Sequence, residues 1–163
     1  WENSFSVDVQ GYLVEAMSGM SFGKFLDQRI FQPLEMTDTD FHVPEEKINR
    51  FAQMYVYGSE GQLIPSEMFD NADFTVDMAF ESGGGGLVST ANDYMRFSQM
   101  LLNGDELDGV RILAPLTVEL MHRDQKPAGM TGPMSGAGNG TAFGLDFAVI
   151  EDPVEAESYS SGE

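Results

Sequence analysis

The stretch Ser82-Gly-Gly-Gly-Gly-Leu-Val-Ser-Thr-Ala-Asn-Asp-Tyr-Met-Arg-Phe97 leads from a glycine run into the start of a helix. Thr90 and Asp93 have the spacing of a capping box, with Asp in place of the usual Glu. Residues at helical spacing are expected to form the apolar face of this helix: Tyr94, Phe97 and Leu101. Asn103-Gly104 predicts its end, because glycine adopts the left-handed conformation found after helices.

The glycine run itself, Gly83–Gly86, is interpreted as a turn that borders a cleft. It lacks the Gly-Lys-Ser/Thr ending of a phosphate-binding loop, and no convincing strand precedes it. Phosphate binding is therefore not expected here.

Two further helices are predicted before the glycine run. The first covers residues 7–19, with Gly19 as its C-terminal stop. Its apolar positions recur at helical spacing: Val9, Tyr12, Leu13, Ala16, Met17 and Met20. The second starts at Ser21 and ends at Pro33. Its apolar face is expected from Phe22, Phe25, Leu26 and Ile30.

The remaining pattern mixes short helices with strands that appear late in the chain. The predicted elements are a loop and helical turn in 37–50, a hairpin in 51–65, a helix from Pro115 through Met121, a Gly-, Pro- and Met-rich loop in 124–140, a strand through Phe143, Leu145, Phe147 and Val149, an acidic turn in 151–157 and a strand from 158. This order predicts an α+β fold, a helical region plus the start of an antiparallel sheet.

Composition excludes several functions. The 27 acidic and 8 basic residues give a formal net charge of −19, which opposes binding to nucleic acids and to anionic membranes. The chain has no cysteine, so it forms neither disulfides nor thiolate metal sites, and its compartment stays open. No apolar run is long enough to span a membrane.

No metal or organic cofactor is expected. His42 and His122 are the two histidines, and they lack the paired spacing of a zinc site. His122 lies near the end of the last predicted helix, where a histidine complements the helix dipole. Asp70, Asp73 and Asp77 lack the tight, glycine-containing spacing of a calcium loop and are interpreted as solvated.

Three stretches together resemble the β-lactamase-related serine hydrolases, a group that includes class C β-lactamases and family VIII esterases. They are Trp1-x-x-Ser-x-Ser-x-Asp-Val-x-Gly-x-Leu-Val-Glu15, Ser18-Gly-Met-Ser-Phe-Gly-Lys-Phe-Leu-x-x-Arg-Ile-Phe-x-Pro-Leu-x-Met-Thr-Asp-Thr39 and Gly83–Phe97 with its continuation to Gly109. The resemblance implies a serine β-lactamase/penicillin-binding-protein-like fold. It also implies that residues 1–163 are one partial domain, an internal fragment without the N-terminal nucleophile region and the C-terminal sheet strands.

The resemblance implies acyl transfer through a nucleophilic serine that needs a base and oxyanion donors. In such hydrolases a Ser-x-x-Lys motif supplies the nucleophile, and a tyrosine motif relays the proton. Counting back from Asp8 and Gly11, the tyrosine position falls on Asn3, followed by Ser4 and Phe5. Asn3 and Ser4 are therefore the catalytic candidates, and the candidates for substrate binding are Phe5, Ser82, Gly83 and Gly84.

Asparagine at position 3 has no ionisable proton and cannot serve as a general acid or base. Asn3 is thus a loss of the tyrosine, a sequence error, a polar residue without a role, or a substitute that holds a water or a substrate carbonyl.

One Ser-x-x-Lys does occur, Ser21-Phe-Gly-Lys24, but it lies after the tyrosine-motif helix. We interpret Ser21 as a helix N-cap and not as the nucleophile.

The predicted function is therefore that of a serine hydrolase fragment, esterase or β-lactamase-like, whose substrate is a small ester, amide or β-lactam. Two alternatives remain open. One is a non-catalytic homologue that binds peptide or cell-wall fragments. The other is a D-alanyl-D-alanine carboxypeptidase-like enzyme. We expect the isolated fragment to be inactive.

Overall fold

A computed structural model of the chain describes residues 5–67, 73–125, 140–146 and 148–157. It divides into two compact units, residues 1–95 and residues 96–163, which are taken in turn below. Helices alternate with short antiparallel strand pairs, so the predicted α+β class is confirmed. Among the described residues no helix is long and apolar enough to cross a membrane.

The first unit begins with helix α1, Phe5–Ser18, close to the predicted span. Gly19 ends it as expected: its φ is +70°, and its N–H donates to the Glu15 carbonyl oxygen at 2.9 Å. The predicted apolar face, however, is exposed to solvent, with Tyr12 at 65% and Met17 at 87%. The pattern identified the helix correctly, but nothing in the described residues covers that face.

The second helical segment is divided into helix α2, Phe22–Leu26, and a π-helical turn, Asp27–Phe31. Ser21 caps α2 as predicted, because its hydroxyl accepts the Lys24 N–H at 3.3 Å. The expected single α-helix is wrong in its last turn, where the Gln32 N–H reaches the Asp27 carbonyl at 2.8 Å. Pro33 follows, and it lacks an N–H to continue the regular α-helical pattern.

The core of this unit lies after Pro33. Its buried apolar side chains are Phe31, Leu34, Met36, Phe41, Val43 and Phe74. A 3₁₀ turn, Glu45–Arg50, follows Pro44, as predicted. Strands β1, Tyr55–Tyr57, and β2, Leu63–Pro65, pair antiparallel with Val56 opposite Ile64, which confirms the predicted hairpin.

Helix α3, Ala91–Leu102, starts at the predicted cap. The Thr90 hydroxyl accepts the Asp93 N–H at 3.2 Å, which is one half of a capping box. The Asp93 carboxylate, in a residue only 2% exposed, is bonded elsewhere. It accepts the Asp38 N–H at 2.7 Å and the Thr39 hydroxyl at 2.9 Å. Asp93 therefore joins the start of α3 to a distant loop.

The apolar face predicted for α3 is partly wrong. Tyr94 is 65% exposed, whereas Met100 and Leu101 are buried. The helix ends at Asn103-Gly104 as expected, with Gly104 at φ +72°.

The second unit begins within α3, at Arg96, and the next element after this helix is a hairpin that the sequence analysis did not predict. Its strands are β3, Glu106–Leu107, and β4, Val110–Arg111, joined by Asp108 and Gly109, both at positive φ. Helix α4, Pro115–Met121, has the predicted bounds and buries Val118.

The single strand expected through residues 143–149 is instead a second hairpin. Its strands are β5, Thr141–Phe143, and β6, Ala148–Ile150. A turn lies between them, because Asp146 has φ +60° and the Leu145 N–H leaves the ladder for the Met121 carbonyl at 2.9 Å. Residues 151–157 form the predicted acidic turn, in which Asp152 accepts the Val154 and Glu155 amides. Phe147, most of the 124–140 loop and the strand expected from 158 lie outside the described residues.

Asp105 is an unfavourable feature of this unit. Its side chain is fully buried, its φ is +75°, and its Oδ1 atom has no hydrogen-bond partner within the part of the chain that the structure describes. The Oδ2 atom accepts the Leu113 N–H. Burial raises the pKa of Asp105 above its ordinary 3.8. The ionised carboxylate therefore opposes folding, and this penalty disappears as the pH falls through the raised pKa towards 3.8.

We expect Asp105→Asn to raise the free energy of unfolding at neutral pH by about 1 kcal/mol, because Asn keeps an acceptor for Leu113 without burying a charge. The matched control is Asp146→Asn, which also has positive φ but is exposed. Thermal unfolding should show the gain for Asp105→Asn shrinking as the pH is lowered towards 4. A gain that did not change with pH would contradict the role given to the charge.

Candidate functional site

The predicted site residues that the structure describes lie at the start of α1 or against its first turns. Asn3 and Ser4, the catalytic candidates, lie outside the described residues, directly before this helix. Phe5 is its first residue and is 74% exposed. Ser82, Gly83 and Gly84, the glycine-run candidates, lie against the first two turns of α1. The structure therefore brings the start of α1, with Phe5, and the segment Ser82–Gly84 to one place, although they are far apart in the sequence.

Asp8 makes the connection. Its Oδ1 atom accepts the Ser82 hydroxyl at 2.6 Å and the Gly84 N–H at 3.1 Å, across sequence separations of 74 and 76 residues. The Ser82 hydroxyl, followed by the Gly84 amide, holds the pKa of Asp8 below its ordinary value. Asp8 is therefore a charged acceptor at neutral pH, and charged acceptors make the stronger hydrogen bonds.

The backbones themselves also touch. A Cβ atom added to Gly83 would lie 2.3 Å from the Val7 carbonyl oxygen and 3.4 Å from the Gly11 amide nitrogen. A Cβ on Gly11 would in turn lie 3.6 Å from the Gly83 Cα and 3.4 Å from the Phe22 ring. Glycine is thus required at position 83 for close approach to α1, which explains one member of the run.

The segment is attached to α2 as well. The Gly23 N–H donates to Glu81 Oε2 at 2.7 Å, and the Phe22 N–H donates to Glu15 Oε1 at 2.9 Å. Two carboxylates therefore satisfy free amides at the start of α2, beside its Ser21 cap. The cap role of Ser21 is confirmed.

Sequence reasoning used Asp8 to align the tyrosine motif but assigned no role to Asp8, Glu15 or Glu81. One signal for Asp8 was its place in the first turn of a predicted helix, where a carboxylate complements the helix dipole. That signal does not indicate a partner 74 residues away.

A cavity of about 850 Å³ lies elsewhere in the first unit and contains none of the predicted site residues. Asp38 lies on its wall, where Lys47 Nζ and Arg50 Nη2 are each 2.7 Å from its carboxylate. Arg50, then Lys47, lowers the pKa of Asp38 to about 2. The two cations of this wall are thus already paired with a carboxylate.

The described residues offer no cluster of three or more His, Cys, Asp or Glu side chains that could hold a metal ion. His42 Nδ1 lies 3.4 Å from Asp77 Oδ1 and 3.8 Å from Asp40 Oδ2, both in exposed surroundings. The described residues at the α1 site supply hydroxyl and carboxylate oxygens and backbone amides.

Comparison with known proteins places these features in a family. The family model described as Beta-lactamase matches residues 3–153. The chain is 35% identical to Protein Rv1367c of Mycobacterium tuberculosis, over 94% of this chain and 38% of that protein. It is 30% identical to Esterase EstB of Burkholderia gladioli, over 96% of this chain and 41% of that protein.

Among solved structures, the unliganded selenomethionyl simvastatin synthase LovD of Aspergillus terreus superposes with a TM-score of 0.73 at 25% identity. The match covers 92% of this chain and 40% of that one. The chain thus spans about two fifths of the length of these relatives.

We expect Gly83→Ala to lower the free energy of unfolding by about 1–3 kcal/mol, because the new methyl group would overlap the Val7 carbonyl. The control is Gly85→Ala, where an added Cβ meets nothing within 4 Å, and its effect should stay within roughly 0.5 kcal/mol. Chemical denaturation of both variants measures the difference. Equal effects would mean that the close contact between the glycine run and α1 is not formed.

Proposed function

Because the chain belongs to the beta-lactamase family, we propose that it is part of a serine hydrolase that acts through an acyl-enzyme on small esters or amides. The observation that carries the proposal is the meeting of α1, which follows the Asn3–Ser4 pair, with the glycine run at Ser82–Gly84. The similarity to an esterase, EstB, favours ester substrates among those open to the family.

In this proposal the reaction is divided between segments. A serine supplied by another part of the protein attacks the acyl carbon, with a neighbouring base taking its proton. Backbone amides hold the negative charge that develops on the acyl oxygen. Asn3 at the proton-relay position and Ser4 with its hydroxyl come directly before α1 in the sequence. Phe5, together with Ser82, Gly83 and Gly84 at the start of the glycine run, borders the space for the substrate.

The exposed apolar face of α1 supports the proposal that this chain is part of a longer protein. Phe5, Val9, Tyr12, Leu13 and Met17 follow one another at helical spacing, and each is at least half exposed. A contiguous apolar stripe of this kind is typical of a surface that another segment covers. The chain also spans only about two fifths of its relatives. We propose that residues 1–163 form a partial domain within that longer protein.

Asn3 favours a second candidate function. Its side chain can accept and donate hydrogen bonds, but it cannot exchange a proton with a serine or with a leaving group. A homologue that binds peptide or cell-wall fragments at this site, without turning them over, is consistent with this residue.

The complete gene product and its Asn3→Tyr variant separate the two functions. If the protein is a hydrolase, we expect Asn3→Tyr to raise kcat by roughly 10²-fold or more, the lower end of what a positioned acid–base group contributes. A chromogenic short-chain ester is the substrate. The control is Ser21→Ala, which should leave kcat unchanged because Ser21 is a helix cap. Loss of turnover in a folded Ser21→Ala protein would make Ser21 the nucleophile and overturn the assignment.

We expect the isolated 163-residue chain to show no ester turnover above background and to associate through its exposed apolar stripe. The measurements are ester hydrolysis by the purified chain and its mass by light scattering. Clear turnover by the chain alone would contradict the proposal that the nucleophile comes from another part of the protein.

A further inference from the structure

We propose that Asp8 is a positioning residue, whose carboxylate fastens the first turn of α1 to the segment Ser82–Gly84 and thereby sets the place of the helix start relative to that segment. This inference rests on the proposed function, because it gives the contact a purpose in the reaction. It assigns a role to a residue that would touch neither substrate nor nucleophile.

The hydrogen bonds come from two positions on one short segment. The Ser82 hydroxyl and the Gly84 N–H both donate to Asp8 Oδ1, at 2.6 and 3.1 Å. A single carboxylate oxygen thus holds both sides of Gly83. Since the acceptor is charged, each of these bonds is stronger than a bond between neutral groups.

The backbone of this segment also passes close to α1. A Cβ atom built on Gly83 would lie 2.3 Å from the Val7 carbonyl oxygen and 3.4 Å from the Gly11 amide nitrogen, so only glycine permits this approach. Asp8 holds the segment in that place through its two hydrogen bonds. The helix and the segment are therefore kept in close contact, as positioning of a reacting group requires.

A separate attachment distinguishes positioning from general support of the fold. The same segment is joined to α2 through Glu81, which accepts the Gly23 N–H at 2.7 Å. Removal of the Asp8 carboxylate therefore leaves the segment attached to the unit and releases mainly the first turn of α1. That turn follows Asn3 and Ser4 directly in the chain.

The test uses the complete gene product in the Asn3→Tyr background, with Asp8→Asn and Asp8→Ala variants. We expect Asp8→Ala to lower kcat by roughly 10-fold to 10²-fold with KM within about twofold of the parent value, because the site is misplaced and not removed. Asp8→Asn keeps an acceptor oxygen and should retain an intermediate kcat.

The matched control is Asp73→Asn. Asp73 is likewise a hydrogen-bonded aspartate of lowered pKa, but its donors are the amide and hydroxyl of Thr75, two residues away. Its substitution should leave kcat and KM unchanged. An equal fall in kcat for both aspartates would overturn the role assigned to Asp8.

A second readout does not depend on turnover. Hydrogen exchange at the Gly84 amide should accelerate in Asp8→Ala and stay unchanged in Asp73→Asn. Unchanged exchange would overturn the contact, and faster exchange with unchanged kcat would overturn its positioning role. If the Asn3→Tyr protein has no turnover at all, the proposed function fails, and Gly84 exchange still decides whether Asp8 holds the segment.

Discussion

The buried carboxylate of Asp93 is the interaction on which the described part of the first unit depends most. It is placed by the Thr90 cap at the start of α3, and it accepts two hydrogen bonds from the Asp38–Thr39 loop. The Thr39 hydroxyl is also within 2.8 Å of the Ser89 hydroxyl, so the loop and the end of the glycine-run segment are held together. A buried charge is tolerated only when it is bonded in this way, and this requirement fixes which segments must meet.

The same contacts limit the path of the segment 82–90, which contains the glycine run. Ser89 and Thr90 lie at its second end, and Ser82 lies at its first end. The first end is held by Asp8 and Glu81 to two different helices. The segment 82–90 therefore leads from α1 and α2 to α3. Carboxylates hold its first end, and at its second end Ser89 contacts the Thr39 hydroxyl and Thr90 caps α3. Glycine suits such a path where the backbone passes close to another, as Gly83 does over Val7. The candidate site lies where these attachments converge on the first turn of α1.

The acidic composition has more than one use in this chain. Asp8, Glu15, Glu81 and Asp93 all accept backbone or hydroxyl donors and so act as structural links. Asp38 instead neutralises Lys47 and Arg50. Many of the remaining carboxylates are exposed and keep the surface hydrated. Asp105 differs from these carboxylates: it is buried, and one of its oxygens has no partner among the described residues, so its charge opposes stability at neutral pH.

The sequence by itself determined the local structure and the family. Periodicity and caps located α1, Ser21, the hairpin in 51–65 and α4, because each depends on neighbours within a few residues. Only the tertiary structure decided which carboxylates serve as links, that the apolar stripe of α1 is exposed, and that the 143–149 pattern turns back as a hairpin. The physical reason is that a hydrogen bond or a buried face is defined by its partner. Ser82 lies 74 residues from Asp8, and the turn within 143–149 donates to the distant Met121 carbonyl.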